Sequence, residues 1–162
     1  MPTIPYPSAE NAYLANHIRH LITSYANLLR RPLIEKSFDG ENLAKKLFFA
    51  DFVLLSHDTS TPPIFNYGNL AGLSLFEMTW SEFTAMPSKY SAEPDERDDR
   101  EALLNAVSTK GYIDNYRGVR ISKTGRRFLI ENATVWNLSD DNDRHIGQAA
   151  CFKEWHYLDE SY

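Results

Sequence analysis

The stretch YIDNYRGVRISKTGRRFLIENATVWNLSDDNDRHIGQAACFKEW, residues 112–155, predicts three consecutive antiparallel strands joined by two tight turns. Between Phe128 and Leu138 the side chains follow a period of two, which places successive residues on opposite faces of a strand. Both alternating sets contain apolar residues, so we expect this strand to be central. The first turn contains Gly125, and the second is the polar run 139–144.

Length and composition indicate one domain. A chain of 162 residues with 43% apolar and 13% aromatic content can fill a single core. The net charge of -5, with no Lys/Arg cluster longer than a pair, argues against direct binding of nucleic acid. No signal-peptide pattern and no long apolar run is present, so we expect a cytoplasmic protein without a membrane segment. The single cysteine, Cys151, excludes an internal disulfide and is expected to be a buried apolar residue.

An N-terminal amphipathic helix is predicted from Ala9 to Arg31, with Ser8 as its N-cap. Two interpretations of its apolar stripe are open. The stripe either covers the domain's own sheet, for which Leu129, Ala133 and Val135 are candidate receiving residues, or forms the seam of a homodimer. The stripe consists of Leu14, Ile18, Leu21, Tyr25 and Leu28.

The middle of the chain alternates strands with short helices. The apolar run 52–57 predicts a strand covered on both faces. Asn69 is a candidate N-cap for one helix and Thr79 for another, and Gly111 is expected to end a longer one. In order, we predict a helix at 41–50, strands at 52–57 and 64–67, helices after Asn69 and at 80–85, and a helix at 95–110 with Leu103, Leu104 and Val107 on its inner face.

Several segments resemble a known family. IFNYGNLAGLSLFEMTWSEF, residues 64–83, is similar to the PAS signature, in which an asparagine opens a helix. FVLLSHDTSTPPIFNYGN, LFEMTWSEF, SAEP and RGVRISKTGRRFLIENATVWNL, which lie between residues 52 and 138, resemble the MEKHLA family. This PAS-related group is known from plant class III homeodomain-leucine zipper factors and from bacterial proteins. The six letters that name the family do not occur as a string, so we expect the bacterial stand-alone form.

The resemblance implies an α+β fold, with a PAS-like five-stranded antiparallel sheet, helices on one face and the N-terminal amphipathic helix added. We accordingly divide the chain into a helical extension, residues 1–34, and a PAS-like domain, residues 35–158. Because PAS domains often pair through a helix that precedes the sheet, we predict a homodimer whose interface is the apolar stripe of that helix. The family implies a regulatory role, and the expected partners are a signalling or transcription protein and an unidentified small molecule.

The sequence contains no catalytic motif: G-x-S-x-G, H-E-x-x-H, C-x-x-C and G-x-G-x-x-G are all absent. We therefore predict a sensor or binding module, with a small-molecule enzyme that uses the same pocket as the alternative. A Glu131 buried in the pocket beside Arg120 would favour that alternative. No metal site is predicted, since only His17 and His20 share a helical face.

The sequence also argues against two cofactors. Light-oxygen-voltage domains carry a reactive cysteine in the helical region, and this chain has none there. Haem-binding PAS domains use an axial histidine, usually on the long helix, and residues 95–110 contain no histidine. Flavin and haem are therefore not expected, and the identity of any cofactor stays unknown.

We expect a pocket between the sheet and the helices, with Asn132 and Gln148 as polar anchors unless protein groups satisfy their amides. Four arginines near the turn at Gly125 either bind a carboxylate or pair with local acids. They are Arg117, Arg120, Arg126 and Arg127. The other candidate pocket residues are Phe128, Ile130, Trp136, Tyr67, Tyr112 and Tyr116.

Overall fold

Six strands and five α-helices make up the part of the chain described by this computed structural model, residues 3–34 and 40–158, without the side chains of 94–96, 99 and 100. The helices are α1 (Ala15–Leu29), α2 (Glu41–Phe48), α3 (Leu70–Phe76), α4 (Trp80–Phe83) and α5 (Pro94–Lys110). The strands are β1 (Val53–His57), β2 (Phe65–Gly68), β3 (Tyr112–Ile121), β4 (Arg127–Ser139), β5 (His145–Phe152) and β6 (Glu154–Tyr157). Two 3₁₀ turns lie at Ala9–Leu14 and Ser88–Ser91.

The strands form one antiparallel sheet in the order β2-β1-β5-β4-β3, and β6 also pairs with β4. Cys151 of β5 lies opposite Thr134, and Glu154 of β6 lies opposite Glu131, so β6 continues β5 along the same edge of β4. The predicted α+β class and antiparallel sheet are therefore confirmed, with β6 as an addition to the five expected strands. Residues 112–155 form the three neighbouring strands that their alternation predicted.

A bulge at Asn132 reverses the alternation of β4. Asn132 has a φ of 54°, and the pairing of β4 with β3 shifts register around it. Because a bulge adds one residue to a strand, the side chains that follow it exchange faces. Ile130, Ala133 and Val135 consequently line one face of the sheet, whereas Trp136 points to the opposite face.

Helix α1 covers that opposite face. Ile18 and Leu21 are fully buried, and the ring of Tyr25 contacts the edge of Trp136, with their centroids 4.9 Å apart. The added N-terminal helix therefore packs on the sheet itself, because the bulge turns Trp136 towards α1 and creates an apolar surface for that helix. The stripe covers this surface, and not Ala133 or Val135, which face the other way.

The predicted dimer seam is thus occupied within the chain itself. The side chains of Ile18, Leu21 and Tyr25 are buried in the domain core, and Leu14 and Leu28 pack against the same core. These five residues do not form a free interface, which corrects the dimer-seam interpretation. Because α1 and the sheet share one core, the predicted division between residues 34 and 35 does not separate two cores.

The N-terminal helix is also shorter than predicted. Ser8 precedes a 3₁₀ turn, and its backbone N–H donates to Asn11 Oδ1 at 3.0 Å. Ala12, Tyr13 and Leu14 have positive φ angles, so the α-helix begins only at Ala15. No helix in the described ranges is both long enough and apolar enough to cross a bilayer.

Asn69 joins β1 to α3 and α2. Its Oδ1 accepts hydrogen bonds from the backbone N–H groups of Gly72 and Leu54, both at 3.1 Å. Its Nδ2 donates to the carbonyl oxygens of Leu47 and Phe52 at 3.0 and 2.8 Å. The predicted N-cap is confirmed, and this fully buried amide also satisfies backbone groups of the two preceding elements.

Helix α5 covers the face of the sheet opposite α1. Leu103 and Val107 are buried against Val135, as the predicted inner face of the helix requires. Gly111, with a φ of 94°, ends α5 and leads directly into β3. The sheet is therefore enclosed between α1 on one face and α3, α5 and the turn Ser88–Ser91 on the other.

Candidate functional site

A cavity of about 70 Å³ lies between the sheet and α5. Its walls are mostly apolar side chains of β1, β4, β5 and α5, among them Leu55, Val135 and Ala150. The polar residues at its surface are His57, Ser88, Ser91, Tyr116, Arg120 and Gln148. An apolar cavity with a few converging polar groups is the usual form of a small-molecule site.

Gln148 of β5 presents a buried acceptor at this cavity. The side chain is 5% exposed, and its Nε2 donates to Asn137 Oδ1 at 2.9 Å. Asn137 is itself oriented, because its Nδ2 donates to the carbonyl oxygen of Val107 at 3.1 Å. The amide of Gln148 must therefore direct Nε2 at Asn137, and Oε1 has no hydrogen-bond partner in the described part of the chain.

Arg120 of β3 presents a cation at the same cavity. The residue is 9% exposed, and its guanidinium donates to Tyr116 Oη at 3.0 Å and to the carbonyl oxygen of Val119 at 2.8 Å. The guanidinium also lies over the ring of Tyr116. Gly118 permits this arrangement, because a Cβ at that position would lie 2.3 Å from Tyr116 Oη.

The register of the sheet separates these two polar groups. Arg120 lies beside Phe128 near the start of β4, and Gln148 lies beside Asn137 near its end. The cavity therefore runs along β4, with a cation at one end and an acceptor at the other.

Three of the predicted pocket residues line the cavity: Tyr116, Ile130 and Gln148. Phe128 is fully buried beside it, packed on the ring of Phe76 with centroids 5.3 Å apart. The structure thus brings together the predicted residues before the bulge on β4 with Tyr116 of β3 and Gln148 of β5, which pair with β4 after the bulge.

The other four predicted residues lie elsewhere. Asn132 is exposed at the bulge and donates to Glu154 Oε2 at 2.6 Å, so it is not a buried anchor. Trp136 lies under α1 on the opposite face, and Tyr67 also lies on that face, 5.9 Å from the ring of His17. Tyr112 is 36% exposed at the start of β3. The bulge in β4 explains why Trp136 and Asn132 do not line the cavity.

The sequence prediction missed the cavity residues Leu55, Ala133, Val135 and Ala150. Leu55 and Ala150 lie directly opposite each other on β1 and β5, and Val135 follows on β4. Their strands were predicted, so correct pairing and the position of the bulge were the missing information. An asparagine between two apolar runs, at Asn132, is the available signal for that bulge.

The four arginines near Gly125 do not act together. Arg117 pairs with Glu131 at 3.3 Å, and Arg127 pairs with Glu93 at 3.5 Å. The guanidinium of Arg126 lies over the ring of Tyr157. Of this group, only Arg120 lines the cavity.

Glu131 does not meet the condition that would favour an enzyme. Its carboxylate is bound by Arg117 and, at 3.0 Å, by His156 Nε2. The side chain lies on the face of β4 away from the cavity and has structural partners. It is therefore no candidate general acid or base for the cavity.

The histidines of α1 serve the packing of that helix. His17 Nε2 lies 2.9 Å from Ser56 Oγ, and burial, together with His20, lowers the pKa of His17 to about 4. His20 lies 3.8 Å from Asp141. Within residues 3–34 and 40–158, no group of three or more His, Cys, Asp or Glu side chains is arranged for a metal ion.

Comparison with protein families matches the chain to the MEKHLA domain over residues 15–157. Among curated proteins, the chain is similar to Homeobox-leucine zipper protein ATHB-9 of Arabidopsis thaliana, with 29% identity over 128 residues, 76% of this chain and 15% of that protein. It is also similar to Homeobox-leucine zipper protein HOX9 of Oryza sativa subsp. indica, with 28% identity over 145 residues, 86% of this chain and 17% of that protein. The chain thus spans less than a fifth of the length of these relatives.

Solved structures show the same fold. The PAS domain of a protein from Colwellia psychrerythraea has a TM-score of 0.61 at 14% identity, over 73% of this chain and 95% of that one. The light-state dimer of the fungal blue-light photoreceptor Vivid has a TM-score of 0.59 at 13% identity, over 85% of this chain and 93% of that one. These identities are low, so the two structures establish the PAS-like fold alone.

A further similar structure, of a light-oxygen-voltage domain studied with a flavin analogue, has a TM-score of 0.57 at 15% identity, over 74% of this chain and 86% of that one. The cavity of the present chain does not fit a flavin. Its volume of about 70 Å³ is well below the roughly 300–1,000 Å³ of ligand pockets. The single cysteine, Cys151, lies on β5 and pairs with Leu54 and Thr134, whose side chains point to the α1 face. Burial raises the pKa of this thiol to about 12, which makes it a poor nucleophile.

Proposed function

Since this chain belongs to the MEKHLA domain family, we propose that it is a PAS-like regulatory module that binds a small molecule in the cavity between its sheet and α5. Binding at this place would act on α5, because Val107 of that helix packs against Val135 and accepts a hydrogen bond from Asn137. Ligand binding would therefore first change the position of α5.

The observation that carries this proposal is the acceptor Oε1 of Gln148. A buried oxygen without a partner costs about 1–3 kcal/mol, and a ligand N–H or O–H group directed at it would recover that loss. The walls of the cavity are mostly apolar, so a ligand with one donor and an apolar body is complementary to it. The small volume means that the ligand is small or that α5 moves outward to admit it.

Native mass spectrometry of the intact chain, purified from its own host under mild conditions, tests the proposal. We expect a retained small molecule in the wild type and its loss in Gln148→Met, which keeps the side-chain volume and removes the acceptor. Asn27→Ala is the matched control, because that amide is exposed on α1, outside the cavity, and its loss leaves the ligand bound. A clean apo mass in the wild type contradicts ligand binding and favours a domain that acts through protein contacts alone.

We also propose that the module associates with a second protein, either another copy or a signalling or transcription partner. The light-state dimer of Vivid and the longer plant relatives support association as a mode of action for this fold and family. Because the stripe of α1 is buried, the contact must use another surface. Light scattering tests the homodimer: a mass of 18.6 kDa at all concentrations, the monomer value, contradicts it.

The bacterial stand-alone form and a cytoplasmic location remain predictions from the sequence pattern. The compared relatives are plant proteins of much greater length. Fractionation of the native host, with an antibody against this domain, would give both the location and the length of the expressed protein.

A further inference from the structure

Arg120 is a buried cation at the surface of the cavity. Among the described residues, no carboxylate lies within 4.0 Å of its guanidinium, whereas Arg117 and Arg127 pair with Glu131 and Glu93. Arginine is almost never fully buried unless it is paired. The position of Arg120 at the cavity surface therefore requires a physical explanation.

The protein groups around Arg120 satisfy the guanidinium only in part. A guanidinium has five N–H donors, and the recorded acceptors are the carbonyl oxygen of Val119 and Oη of Tyr116. The face of the Tyr116 ring adds a weak attraction. These neutral groups orient the cation without neutralising it, and a buried charge is costly unless it is paired.

The surroundings of Arg120 hold it at the cavity. Tyr116 folds over Gly118, where a side chain would collide with its hydroxyl, and this brings the hydroxyl to the guanidinium. The nearest carboxylate on β4, that of Glu131, is bound by Arg117 and His156 on the other side of the strand. The anion that would complete the site must therefore come from outside the described chain.

We propose that the ligand of this cavity is a small monocarboxylic acid whose carboxylate binds Arg120 and whose apolar part lies along β4. The proposal rests on the proposed function, because it names the chemical class of the molecule bound there. A planar carboxylate matches the guanidinium fork and can accept two parallel hydrogen bonds from it.

Charge and size favour a carboxylate over a phosphate. One guanidinium balances one negative charge, whereas a phosphate monoester carries about 1.5 to 2 charges near neutral pH. The cavity of about 70 Å³ has room for on the order of five non-hydrogen atoms, given that about 10–15 Å³ admits one water molecule. A short-chain acid fits these limits, and the apolar residues Ile130, Ala133 and Val135 are suited to its tail.

Nuclear magnetic resonance titration of the intact chain tests the proposal, with propionate as the probe. Propionamide, which has the same shape and no charge, and sodium chloride at equal ionic strength are the ligand controls. We expect propionate to shift the Nε–H resonance of Arg120 saturably, with propionamide at least tenfold weaker. Arg120→Met should lower the affinity for propionate at least tenfold. Arg126→Met, which removes an arginine outside the cavity, should change that affinity less than twofold.

Three results overturn the inference. They are an affinity for propionamide equal to that for propionate, unchanged propionate binding in Arg120→Met, and no binding of propionate to the wild type. The first would contradict the anion site while supporting the cavity as a ligand site, and the third leaves the native mass measurement to judge ligand binding separately. If Arg120→Met does not fold, two measurements on the wild type still test the anion site: the shift of the Arg120 Nε–H resonance and the difference in affinity between propionate and propionamide.

Discussion

The indole Nε1 of Trp136 donates a hydrogen bond to the carbonyl oxygen of Leu21 at 3.1 Å, and both residues are fully buried. An indole N–H inside an apolar contact needs such a partner, so this bond selects where α1 lies on the sheet. The contact joins the N-terminal helix to the central strand β4. Helix α1 is therefore part of the domain core and its removal would uncover the face of Trp136.

Leu21→Ala should lower the free energy of unfolding by about 2–5 kcal/mol, because it leaves a cavity beneath α1. Thr23→Ala is the control on the same helix, since Thr23 is exposed and its replacement should change stability by no more than about 0.5 kcal/mol. Urea unfolding of both variants gives the comparison. Wild-type stability in Leu21→Ala, together with loss of a dimer, would restore the dimer-seam interpretation.

Asn69→Ala should lower the free energy of unfolding by about 3–5 kcal/mol, because four backbone groups lose their partner at once. The control is Asn27→Ala, which removes an exposed amide from α1. Chemical unfolding followed by circular dichroism measures both changes. One net hydrogen bond is worth about 1 kcal/mol. A loss below about 1 kcal/mol in Asn69→Ala would therefore mean that water replaces the amide and that β1 does not depend on Asn69.

Gly147→Ala should prevent folding or cost about 3–5 kcal/mol, because it combines backbone strain with a steric collision. Gly147 has a φ of 152°, and a Cβ there would lie 2.0 Å from the carbonyl oxygen of His57 on β1. Gly125→Ala separates the two effects: its φ is 90° and nothing lies within 4 Å, so only strain of about 1–2 kcal/mol remains. Equal losses of stability in the two variants would contradict a steric collision at Gly147.

The sequence predicted strands β1 to β5 and the helix caps at Asn69, Thr79 and Gly111 correctly, because these depend on local patterns. It missed β6 and the 3₁₀ turn that follows Ser8. The alternation of residues 128–138 and the Asn69 cap are both readable within a few residues of chain. The faces of β4 were not predictable in the same way. One positive φ at Asn132 exchanges the two faces, and the buried Trp136 then receives α1 instead of lining the cavity.

The candidate site shows the same limit of local reasoning. Gln148 was predicted because an amide stands out among apolar residues, and it does line the cavity. Arg120 was one of four similar arginines, and the sequence alone does not show which of them pairs with an acid. That distinction depends on Glu131 and Glu93, which come close to Arg117 and Arg127 only in the folded chain.

The last prediction concerns pH and His17. In the folded protein its pKa is lowered from 6.5 to about 4, so the imidazole stays neutral where the unfolded chain already binds a proton. The unfolded state therefore binds more protons between pH 6.5 and 4, and the free energy of unfolding falls as the pH falls through this window. Above pH 6.5 the group is neutral in both states and its contribution is constant.

The wild type should lose about 1–2 kcal/mol of stability between pH 7 and pH 5 through this residue, and His17→Gln should lose much less over the same interval. His145→Gln is the control, because His145 is exposed at the start of β5. Carboxylates such as Asp141, whose pKa is lowered by its hydrogen bond to Arg19, are charged in this interval and lose their contribution only at lower pH. Urea unfolding at both pH values measures the difference, and an unchanged pH dependence in His17→Gln would assign the loss to another group.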